Sequence, residues 1–106
     1  MAKLDSKSSH DVSGLLTAGA VRRRIGEILK NGWDVGWTTH SKKELAKDRM
    51  TTVDAVNVLR CWRYMDPPEQ DIKTGEWKYR IHTDMMGVVV KFRSETQLVV
   101  ITAWRK

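Results

Sequence analysis

Along the chain the spacing of apolar residues changes character, and each change marks a change of element. From Leu15 the apolar positions Leu15, Ala18, Val21, Ile25, Ile28 and Leu29 recur three and four residues apart, the period of a helix with one buried face. Asn31-Gly32 supplies its stop, since both residues tolerate the left-handed backbone that closes helices. The opposite face carries Arg22, Arg23, Arg24 and Lys30. Trp33, Val35 and Trp37 then alternate with Asp34, Gly36 and Thr38, which predicts a short extended segment. Thr39 is the expected cap of a second helix over residues 40–49, and Thr51 or Thr52 that of a third. In this third helix Val53, Val56, Leu59 and Cys61 are expected to face the core.

Pro67-Pro68 ends the helical half, and residues 66–76 read as a turn-rich loop. The period then becomes two. Trp77–His82, Gly87–Arg93 and Gln97–Trp104 are expected strands joined by hairpin-length turns. Alternation puts Tyr79, Ile81, Val88, Val90, Phe92, Val99 and Ile101 on a core face. The other face then holds Lys78, Arg80 and His82, Lys91 and Arg93, and Thr102 and Trp104. Because residues 98–101 are apolar on both sides, a slip of one residue would exchange Thr102 and Trp104 for Ala103 and Arg105, so Arg105 also stays a candidate. The expected fold is α+β: N-terminal helices packed on one face of a C-terminal antiparallel β-meander, as one domain over residues 13–106 after a flexible lead-in at 1–12.

Composition narrows the class. A chain of 106 residues with 41% hydrophobic and 30% charged residues is an ordinary globular domain. The single cysteine, Cys61, forms no internal bridge and suits a reducing, cytoplasmic setting. The N-terminus lacks an apolar signal core, and no apolar run approaches the roughly 20 residues that span a bilayer, so no membrane association is expected. The net charge of +6 and pI near 9.7 favour phosphate backbones or acidic protein partners.

Two groups of residues carry candidate chemistry. His40, Glu44 and Asp48 are spaced four and four, on one helical stripe, where a carboxylate can orient an imidazole as a general base. The plain alternative is a capping histidine with solvated acids pairing with Lys43 and Lys47. No HExxH motif is present, so neither a metal nor another cofactor is expected. On the predicted sheet face, Arg80, His82, Lys91 and Arg93 gather cations over a small area, which suits a phosphodiester and its pentacoordinate transition state. The competing reading is an ordinary solvated sheet face. Of the five tryptophans most should pack, and Trp104, beside Arg105, is the candidate for stacking on a base.

The segments GAVRRRIGEILKNG, TTHSKKELAKDRMTTVDAVNVLR and GEWKYRIHTDMMGVVVKFRSETQLVVITAWR resemble small bacterial and phage-associated proteins of unknown function, distantly related to the RelE, ParE and BrnT toxins. Thr39-His40 with Glu44 and Asp48, WKYR at 77–80 and TAWR at 102–105 carry the likeness, which covers about residues 18–105. Ser41 stands where that family usually has Ala. The resemblance implies the barnase, EndoU, colicin and RelE type of fold. It also implies a toxin-type, metal-independent endoribonuclease neutralised by an acidic antitoxin. ParE-like members of the fold act without cutting RNA. Two functions therefore stand at this point. One is a ribonuclease in which His40 with Glu44, or His82, activates the 2′-hydroxyl and Arg80 with Lys91 and Arg93 holds the scissile phosphate. The other is a non-catalytic module that binds nucleic acid or protein through its basic sheet face or the Arg22–Arg24 cluster. Under either, the residues expected to contact nucleic acid are Lys43, Lys78, Lys91, Arg93, Thr102, Trp104 and Arg105.

Overall fold

The computed structural model describes residues 14–106; the lead-in expected at 1–12 lies outside them. The first helix among the described residues, α1 (Ala18–Lys30), begins at Thr17, whose hydroxyl accepts the Ala20 amide at 3.2 Å, and buries Val21, Ile25 and Ile28 along one stripe. Gly32, at φ 67°, turns the chain out of the helix, a conformation that costs glycine little. β1 (Asp34–Trp37) follows.

Thr38, one residue before the expected cap, starts α2 (Thr39–Lys47). Its hydroxyl accepts the Ser41 amide at 2.9 Å and donates to the Ile101 carbonyl at 3.1 Å, tying the helix start to the last strand. α2 stops without glycine. Met50 N–H reaches the Leu45 carbonyl at 2.7 Å and Arg49 N–H the Ala46 carbonyl at 3.1 Å, a Schellman closure that holds Arg49 at φ 57°.

α3 (Thr52–Cys61) opens with a capping box between Thr51 and Asp54. Its buried stripe is Ala55, Val58 and Leu59, continued by Trp62. This corrects the expected face: Leu59 is buried, but Val53 and Cys61 are exposed and Val56 is half-buried. Two apolar stripes compete on this helix, and the one continued by the large Trp62 side chain removes more surface from water.

Among the described residues the sheet has six strands. Beside β1 these are β2 (Tyr64–Met65), β3 (Glu69–Gln70), β4 (Trp77–His82), β5 (Met86–Ser94) and β6 (Gln97–Arg105), in the order β1-β6-β5-β4-β2, with β3 also on β4. The α+β class holds, but the sheet is mixed rather than a pure antiparallel meander: β1 runs parallel to β6, pairing Asp34 with Gln97 through Trp37 with Val100. β2 and β3 lie in or beside the segment expected to be loop, as two short stretches on one edge of β4. Pro67-Pro68, lacking N–H donors, separates them.

The β5–β6 ladder shifts register, so that Val89 faces Thr102 while Val90 faces Val100. The extra residue, Ile101, is a β-bulge. It reconciles two registers that looked exclusive: Leu98 and Val100 point inward before the bulge, Ala103 points inward after it, and Thr102 and Trp104 still face outward. The expected inward placement of Val99 and Ile101 is therefore corrected. Val99 lies opposite Lys91 and outside the central cluster, and Ile101 is half-buried. Tyr79, Ile81, Val88, Val90 and Phe92 do join the core, against α1, α3, Leu45 and Met50.

Candidate functional site

Period-two alternation on three adjacent strands builds the outer face of the sheet. One rung runs His82, Gly87, Trp104 and the next Arg80, Val89, Thr102, with Tyr64 of β2 beside His82. Gly87 carries this arrangement, because the Trp104 indole lies where any β-carbon at position 87 would stand. The Arg80 guanidinium sits 4.6 Å from the centre of the same ring, within cation–π range. The rings of Tyr64, His82 and Trp104 form a row, with centroids 5.4 and 6.3 Å apart.

His82 is held from both sides. Its Nε2 is 2.9 Å from Asp66 Oδ1, and its Nδ1 is 2.7 Å from Lys106 Nζ. An ammonium only donates and a carboxylate only accepts, so this pattern fits the tautomer with the proton on Nε2. Asp66 Oδ2 also lies 3.8 Å from Arg80 Nε. Asp66 is placed by the backbone, its N–H donating to the Arg80 carbonyl at 3.0 Å. Lys106 additionally donates to the Thr83 carbonyl at 2.7 Å. At the rim Tyr64 OH donates to Asp84 at 3.0 Å.

The other predicted residues fall in different places. Lys91, further along the outer face, is bonded to Glu76 at 3.0 Å, and this ammonium holds the Glu76 carboxyl below the usual carboxylate range. Lys78 is half-buried opposite Glu69, Arg93 is exposed at a second register shift of β5, and Thr102 is half-buried. Arg105 is turned toward α2: its backbone N–H donates to the Asp48 carboxylate, and its side chain donates to the carbonyls of Asp48 and Arg49, at 2.9 to 3.1 Å. It thereby caps the C-terminal end of α2. His40 and Lys43 are exposed on α2. Among the described residues neither the His40 imidazole nor the Glu44 carboxylate has a hydrogen-bonding partner, and His40 makes no ring contact with the His82 cluster.

Asp66, Tyr64 and Lys106 are the members that sequence reasoning missed. Tyr64 and Asp66 flank an inward Met65, a period-two signal that the following prolines obscured. Among the described residues no group of His, Cys, Asp or Glu is arranged to hold a metal ion, and no helix is long and apolar enough to cross a membrane. Comparison with protein-family models, curated proteins and solved structures gives no match.

Proposed function

We propose that the protein is a toxin-type, metal-independent endoribonuclease of the RelE and BrnT kind, acting on RNA phosphodiesters at the outer sheet face. The observation that carries this reading is the Asp66–His82 contact of 2.9 Å with Arg80 alongside. A carboxylate that orients an imidazole, next to a guanidinium that can hold two phosphate oxygens, is what 2′-hydroxyl activation requires. Of the two candidate histidines only His82 has this setting.

In the proposed reaction Arg80 and Lys106 take the non-bridging oxygens of the scissile phosphate. Drawing Lys106 onto the phosphate frees Nδ1 of His82, which accepts the 2′-hydroxyl proton as the 2′ oxygen attacks phosphorus. Asp66 stabilises the resulting imidazolium through Nε2. The bond from phosphorus to the 5′ oxygen breaks, that oxygen takes a proton from Lys106, and a 2′,3′-cyclic phosphate remains. Trp104 and Tyr64 offer flat surfaces for the flanking bases.

Total RNA incubated with the protein and EDTA tests it. His82→Ala and Arg80→Ala are each expected to lower the cleavage rate by about a hundredfold or more, with His40→Ala close to the parent. Unchanged cleavage in His82→Ala defeats the assignment. A second reading, a non-catalytic nucleic-acid-binding module, is favoured by the engagement of both His82 nitrogens. It predicts salt-sensitive binding to the same face with no product.

A further inference from the structure

The cleft between α1 and α3 lies in the helical layer, separated from Arg80 and His82 by the sheet and its inner core, and ribonuclease action leaves it unused. Its volume is about 400 Å³, in the range of small-molecule sites. Leu29 and Leu59 provide its apolar wall, and Arg22, Lys30 and Arg60 its charge. Among the described residues no acidic side chain lines it. None of the three cations forms an ion pair with a described residue.

Arg22 is fixed in place. Its guanidinium stacks 3.9 Å from the centre of the Trp62 ring and donates one N–H to the Trp62 carbonyl at 3.0 Å. A guanidinium immobilised in this way keeps its other N–H groups for a ligand and loses little freedom on binding one. Gly26 is the independent feature. It stands in the middle of α1 and lines the cleft, although glycine is a poor helix former. A β-carbon there would meet nothing within 4 Å, so no packing among the described residues calls for glycine, and its effect is to leave the cleft open.

We propose that the α1–α3 cleft binds a phosphorylated small molecule of mononucleotide size, its phosphate on Arg22, Lys30 and Arg60 and its apolar portion on Leu29 and Leu59. Three cations around one cleft of this volume suit a single multiply charged head better than carboxylates spread along a peptide. The fork of Arg22 also matches phosphate oxygens in pairs.

The test titrates the ¹⁵N-labelled full chain with adenosine monophosphate and, separately, with inorganic phosphate, following amide shifts. Saturable shifts at Gly26, Leu29, Arg60 and Trp62 are expected, with phosphate alone about tenfold weaker because it leaves the apolar wall empty. Gly26→Leu fills the cleft with a better helix former, and should weaken the nucleotide at least tenfold while leaving its circular dichroism and RNA cleavage at parent levels. Arg60→Glu should weaken both ligands. Shifts confined to the outer sheet face, unchanged affinity in Gly26→Leu, or tighter binding of a polyglutamate peptide than of the nucleotide would each overturn the proposal.

Discussion

Replacing Gly87 by alanine isolates the contact on which the outer face is built. The added methyl would overlap Cζ2, Cη2 and Cε2 of the Trp104 indole, and the β5 backbone beneath it is hydrogen-bonded on both sides. The ring is therefore the part that moves. Overpacking of this kind costs about 1–3 kcal/mol, and displacing the ring also strains the Arg80 stack, worth about 0.5–1 kcal/mol at an exposed site. For a domain of this size each 1 kcal/mol lowers Tm by roughly 4–8 °C, so Gly87→Ala is expected to melt well below the parent. In a Trp104→Ala background the obstacle is gone, and the same substitution should become neutral or stabilise by about 0.4–1 kcal/mol, through a less flexible unfolded chain. Urea unfolding of the four proteins in this double-mutant cycle measures the coupling directly, with circular dichroism as the signal because one indole is removed. An equal cost of Gly87→Ala in both backgrounds would refute the reasoning, since the penalty would then lie in the strand and not in the ring.

Other expectations follow from single contacts. Arg49→Gly should stabilise the fold by about 0.5–1 kcal/mol by removing a side chain from a left-handed position, which equilibrium unfolding would register. Gly26→Ala should add a similar amount, about 0.8–1 kcal/mol, because the new methyl meets open space in the helix. Arg105→Ala removes two side-chain bonds to the end of α2 and should cost about 1–2 kcal/mol, with the amides of residues 46–50 losing hydrogen-exchange protection first. Glu76 has its folded pKa depressed by Lys91. Its contribution is thus present above the ordinary carboxylate value and lost as pH falls through the depressed one, so Glu76→Gln should flatten the acid side of the stability profile. An acid limb identical to that of the parent would contradict this.

How much of this was legible in the sequence depended on whether a pattern had a rival. In α1, Val21, Ile25 and Ile28 had none, and the helix was readable to within a turn. In α3, Val53 and Val56 competed with Ala55, Val58 and Leu59, and only the packing of Trp62 separates the two faces. On β4 strict alternation placed Arg80 and His82 on one face. On β6, four consecutive apolar residues concealed the bulge at Ile101, since a register change leaves no trace where both faces are hydrophobic. The site was legible as far as periodicity reaches, which is Arg80, His82 and Trp104. Asp66 joins it through the pairing of β2 on β4, and Lys106 by following Trp104 at period two past the end of β6, contacts 16 and 24 residues from His82. The clamp of Arg105 on α2 spans 57 residues and has no local signature.

The position of β6 also sets the order in which the molecule can be made. This strand follows the other described strands in sequence, yet it lies inside the sheet between β1 and β5. During synthesis the early strand β1 must wait about sixty residues for its partner, and α2 waits equally long for Arg105. Helical turns form early, but no N-terminal fragment holds a complete core. Folding should therefore be all-or-none, completed only when residues 97–105 are free to pair with β1 and β5. A nascent chain stalled before that point would expose the Val88 to Phe92 strand to aggregation or to chaperones.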